Sequence, residues 1–101
     1  MIVVYVTCGN GKEAANIAEV LVKEKLVACV NFFPVKSVYH WKGKIEKDDE
    51  YVLICKTKKE NFKSIESTIK RMHSYETPAI FSLEVKNASE EYLAWLDSCL
   101  K

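Results

Sequence analysis

An α+β sandwich is the fold the sequence predicts, and three observations predict it. Short β-branched runs alternate with amphipathic stretches; the order reads strand, helix, strand, strand, helix, strand, helix; and 101 residues leave room for one compact domain. Residues 1–101 are therefore read as a single domain. A chain of this size buries only about two thirds of its unfolded surface by folding alone, so association is the expected addition to its core.

Ile2 to Val6 is a continuous apolar, β-branched run, suited to a central strand covered on both faces. Asn10 followed three residues later by Glu13 has the spacing of a capping box and opens a helix from about Gly11 to Leu26. Ala14, Ile17, Ala18, Leu21 and Val22 form its apolar stripe. Ala28 to Trp41, rich in Val, Phe, Tyr and Trp, predicts a second strand with Pro34 as a bend or bulge. Fourteen residues at about 3.3 Å each exceed the width of so small a domain, so this strand must bend or overhang. Lys42-Gly43-Lys44 offers a turn, the charged stretch to Glu50 reads as a solvated hairpin tip, and Tyr51 to Thr57 is the third strand.

Thr57 and Glu60 repeat the capping-box spacing, and Phe62, Ile65, Ile69 and Met72 recur at helical intervals behind them. His73 to Pro78 ends that helix, Ile80 to Val85 supplies a fourth strand, and Ser89 to Leu100 a last helix. This is the split βαβ order of ferredoxin-like folds with one helix appended. Right-handed crossovers give the antiparallel strand order 4-1-3-2 with both main helices on one face. The end of the first strand, the hairpin and the end of the second helix then share one rim.

Composition narrows the function. Fifteen basic residues against fourteen acidic leave a net charge of +1, and Arg71 is the only arginine, which argues against nucleic acid as a partner. No apolar run approaches the length of a membrane span, so no membrane partner is expected. Cys8, Cys29, Cys55 and Cys99 lie far apart with no CxxC pair, which disfavours a disulfide framework and suits the cytoplasm. Phosphate-binding loops, dinucleotide fingerprints, HExxH helices and nucleophile elbows are all absent, and no acid, base and nucleophile stand together. An enzyme is not expected.

Two constellations carry chemistry. The rim gathers Cys8, His73 and Glu76, a thiol, an imidazole and a carboxylate able to hold a borderline-soft ion such as Cu or Zn, with His40 as a competing ligand. His73 as a helix-terminal residue and Cys8 as a small filler are the plainer alternatives. On the overhanging strand Tyr39 and Trp41 share one face, where a lone subunit has least to cover them, and subunit contact is expected there. Glu50, at the base of the next strand, is read with the solvated tip, an inward orientation being the alternative, and Lys56 ends an otherwise apolar run from which it is expected to snorkel to solvent.

Ala28-Cys29-Val30-Asn31, Pro34, Ser37, Tyr39, Trp41-x-Gly43-Lys44, Glu50, Lys56-Thr57, His73-x-Tyr75-Glu76-x-Pro78 and Tyr92-Leu93-x-Trp95-Leu96 run in order along the chain. Together they resemble the CutA divalent-cation-tolerance family, end to end. The resemblance implies a ferredoxin-like subunit in a tight homotrimer built through the long second and third strands. It also implies a role in tolerance of divalent metal ions, copper in particular, through binding rather than catalysis. Some relatives carry a metal-ligating cysteine just before the first-strand threonine, where this chain has Val6, and a His-His pair where it has Met72-His73. His73, Tyr75 and Glu76 carry over. A second expectation is a signalling or scaffold trimer similar to nitrogen-regulatory PII proteins, binding a small ligand between subunits near Tyr39, Trp41, Lys56 and Glu76.

Overall fold

The computed structural model describes residues 1–101. Its elements are β1 (Ile2–Cys8), α1 (Gly11–Lys23), β2 (Cys29–Trp41), β3 (Lys44–Thr57), α2 (Phe62–Met72), β4 (Ile80–Glu84) and α3 (Glu90–Cys99), with a 3₁₀ turn over Lys59–Asn61 before α2. The sheet order is β2-β3-β1-β4 with every pair antiparallel, which is the expected 4-1-3-2 read from its other edge. Ile2, Val4, Val6 and Cys8 of β1 and Leu53 and Cys55 of β3 meet Ile17 and Leu21 of α1 and Ile65 and Ile69 of α2 in one core. Both main helices thus cover the same face.

Several boundaries differ from the sequence reading, each for a local reason. β3 starts at Lys44, so the charged tip is strand rather than loop. Lys42 and Gly43 both have positive φ, 49° and 79°, and Trp41 pairs with Lys44. A two-residue turn of this handedness matches strand twist, and the charges then alternate along a solvated ribbon. Pro34 makes no bulge; pairing runs unbroken past it to Tyr51, because β2 is an edge strand and needs no donor on its free side. α1 stops at Lys23, where Leu26 N–H bonds to Leu21 O and Lys25 N–H to Val22 O in a Schellman closure, with Lys25 at φ 59°. Thr57 caps nothing: its hydroxyl donates to Leu26 O at 2.6 Å, joined there by the Asn61 amide at 3.2 Å. The second capping box is therefore replaced by a tie between β3 and the α1–β2 connection.

The long ribbon stretches the subunit to 45 × 26 × 21 Å, the overhang expected of the long second strand. On the face opposite the two main helices the alternation leaves Phe33, Phe81 and Leu83 between 44% and 55% exposed, with Tyr5 stacked on Phe81 at 4.8 Å. Only 20 of 101 residues are buried, so much of the apolar surface that this sequence carries has no cover within one subunit.

Candidate functional site

The C-terminal end of β1, the N-terminus of α1 and the end of α2 converge at one rim. Asn10 caps α1 by accepting from Glu13 N–H at 2.8 Å. That fixes the Glu13 carboxylate beside β1, where one oxygen accepts from Gly9 N–H at 3.3 Å and the other from Ser74 N–H at 2.8 Å. Burial alone would raise the Glu13 carboxyl, but the hydrogen bonds from Ser74 and Gly9 outweigh it and hold it below the usual range. His73 follows α2 in extended conformation. Its Nδ1 accepts from Tyr75 N–H at 3.0 Å, which places the ring proton on Nε2, 2.6 Å from the Thr7 carbonyl oxygen that accepts it. Cys8 is fully buried between them, and burial first, then the Glu13 and Glu50 charges, push its thiol up to about 12.

A ligand atom from each of Cys8, Glu13 and His73 lies within 4.8 Å of the others. Thiol, carboxylate and imidazole are the donor set a borderline-soft ion takes. The lone pairs of Glu13 and His73 serve backbone N–H groups, so the cluster is also a clasp holding the loop after α2 against β1.

Beside the clasp, across Tyr75, a half-open cleft of about 760 Å³ lies between the β2–β3 ribbon and the segment 75–79. Thr7 and Glu50 line it from the sheet, Tyr39, His40 and Trp41 from the ribbon, and Tyr75 and Glu76 from the loop. Glu50 is buried, 6% exposed, and its Oε2 accepts from the Tyr75 hydroxyl at 2.8 Å. Burial and this bond raise the Tyr75 phenol above its ordinary range. Gly9 permits the approach, since a Cβ there would sit 3.3 Å from the Tyr75 ring. Tyr39 donates to Asp48 across the ribbon, and Lys36 pairs with Asp49 at 2.8 Å.

The structure thus brings Cys8 to His73, and it brings Tyr39, Trp41, Glu50, Tyr75 and Glu76 to one cleft. Glu76 does not join the thiol and imidazole; Glu13 takes that place. The signal for Glu13 was its capping-box spacing, because a residue at that position must lie over the end of the preceding strand. Lys56 joins neither group. It sits six residues along β3 from Glu50, about 20 Å away, with its ammonium 3.7 Å from Cys29 Sγ. His40 lies on the exposed ribbon at the cleft wall.

The family model described as CutA1 divalent ion tolerance protein matches residues 2–99. The divalent-cation tolerance protein CutA of Archaeoglobus fulgidus is 41% identical over 98 residues, covering 97% of this chain and 96% of that protein. Its counterpart from Thermotoga maritima is 44% identical over 96 residues, 95% of each. Among solved structures, the A. fulgidus protein, described as periplasmic, superposes with a TM-score of 0.97 at 40% identity over 100% of both chains. The divalent cation tolerance protein of Thermus thermophilus superposes at 0.96 with 36% identity, again over 100% of both.

Proposed function

Because the chain belongs to the CutA1 divalent ion tolerance family, we propose that it acts in divalent metal tolerance as a cytoplasmic, non-catalytic homotrimer that binds copper through Cys8, Glu13 and His73. The observation that carries this reading is the approach of the three donor atoms within 4.8 Å of one another. Residue chemistry fits the ion: a thiolate and an imidazole favour copper over hard cations, and a carboxylate completes the charge. When bound, the metal supplies the charge that makes a thiolate stable in a buried place. The chain's own groups determine the cost. Cys8 must give up its proton, and His73 must release either Thr7 O or Tyr75 N–H. The site therefore selects thiophilic ions and discriminates against Mg and Ca.

The trimer is supported by the exposed apolar residues opposite the two main helices, and the cytoplasmic location by four free cysteines. A calorimetric titration with Cu and Zn tests the metal reading. His73→Ala and Glu13→Gln are expected to weaken copper binding at least tenfold, and His40→Ala to leave it unchanged. Equal binding by the parent and the His73 variant, both folded by circular dichroism, would remove the site. A second reading, a PII-like trimer responding to a small ligand, is supported by the cleft beside Trp41.

A further inference from the structure

We propose that an ion at the Cys8–Glu13–His73 site and the segment 74–79 compete for the same lone pairs, so that loading the site releases the segment from β1 and the segment reports whether the site is filled. This rests on the metal reading above and concerns the regulation of that site. Between Met72, the last residue of α2, and Ile80, the first of β4, the chain has no helix or strand, and residues 74–79 make no backbone-to-backbone hydrogen bond. Three hydrogen bonds hold them instead: Ser74 N–H to Glu13, Tyr75 N–H to His73, and the Tyr75 hydroxyl to Glu50. Two of the three acceptors are donors of the candidate metal site.

The competition is sharpest at His73. A neutral imidazole has one acceptor nitrogen, and here it is Nδ1, occupied by Tyr75 N–H at 3.0 Å. Nε2 carries the proton donated to Thr7 O at 2.6 Å. An ion on Nδ1 displaces Tyr75 N–H directly. An ion on Nε2 gives up Thr7 O and sends the proton to Nδ1, where it faces Tyr75 N–H donor to donor. The Tyr75 bond is lost by either route. Glu13 keeps lone pairs to spare, but a carboxylate that shares its charge with an ion accepts more weakly from Ser74 N–H.

Entry of the ion calls for the same movement. Cys8 is fully buried, so nothing reaches its sulfur while the clasp is shut. The Tyr75 ring packs against the turn that follows Cys8, where Gly9 leaves it room. A segment without regular structure, held by so few bonds, opens at low cost compared with the strands beside it. Coupling of this kind is reciprocal: loading favours the open segment, and whatever weakens the closed segment tightens the binding of the ion by the same factor.

Amide hydrogen exchange, followed by NMR on the assembled protein with and without one equivalent of copper(I) under anaerobic conditions, tests this. The Tyr75 amide is expected to exchange about tenfold faster in the loaded protein, Ser74 to follow by a smaller factor, and the amides that pair β1 with β3 to stay unchanged. Tyr75 exchange that is unchanged or slower, while the His73 ring resonances show the ion bound, would overturn the inference and leave the metal site standing. Copper(I) that leaves the His73 ring unperturbed would remove the metal reading and this inference with it. Ser74→Pro supplies the reciprocal test, since it deletes the N–H donated to Glu13 and keeps all three metal donors. His73 before it is already extended, at φ −78° and ψ 140°, the conformation that a residue preceding proline takes. The variant, shown to be folded by circular dichroism, is expected to bind copper(I) about tenfold more tightly than the parent in competition with a chromophoric chelator. Equal or weaker binding by the folded variant would overturn the competition.

Discussion

His73 was the residue the sequence marked most clearly, as one of two histidines at the end of a strongly periodic helix. Its position next to Cys8 follows from topology alone, because antiparallel order places the end of β1 beside the end of α2. Its hydrogen bonds were not legible. Nothing in the spacing shows that Nδ1 accepts from Tyr75 and Nε2 donates to Thr7, since both partners are backbone groups common to every residue. Glu76 was placed with the thiol for want of that detail, whereas the turn at Tyr75 carries it over to the cleft. Tyr39 gives the clearest pH signature at this scale. Its hydrogen bond to Asp48 first, then desolvation and the nearby acidic charges, push its phenol up to about 12. The folded-state value is raised, so what the contact contributes is complete below the ordinary tyrosine range and is lost as pH rises through about 12. In a spectrophotometric titration Asp48→Asn is expected to return one tyrosine to ionisation near pH 10. An unchanged titration curve would place Tyr39 away from Asp48.

Elements with a strong period were legible, and their ends were not. The apolar intervals of α2 and the β-branched run of β1 are dictated by the face each must bury, so a single sequence suffices to find them. The end of α1 depends instead on Lys25 adopting positive φ, a position where glycine is the usual signal and is absent here. Lys25→Gly should relieve the strain of a left-handed L-residue, offset in part by greater freedom in the unfolded chain, and stabilise the protein by about 0.5–1 kcal/mol. Chemical denaturation would measure it, and a destabilised variant would contradict the assignment of this helix end. β3 was read too short for a related reason. Its first six residues bury little, so only the two-residue turn and the pairing of Trp41 with Lys44 define them as strand.

For the whole molecule, the decisive feature is a sheet with both main helices on one face. Phe33, Phe81 and Leu83 remain exposed opposite them, and in the proposed trimer their burial is expected to add to the small core of one subunit. Phe81→Glu would put a charge into that contact, and sedimentation is expected to show a shift from trimer to monomer at micromolar concentration. A trimer unaffected by the substitution would move the interface to another surface. Topology follows from the pattern of apolar residues, which is why the strand order could be read from the sequence. The metal site depends on which of several polar groups turn inward, and needed the structure.

Anomalous diffraction at the copper absorption edge, from crystals grown with one equivalent of copper per chain, tests the central claim most directly. The account predicts one dominant peak per subunit within coordination distance of Cys8 Sγ and a His73 ring nitrogen, with the bond of His73 to Thr7 or Tyr75 broken. A peak at His40 on the ribbon or beside Glu50 in the cleft, with the Cys8–His73 clasp intact, would contradict it.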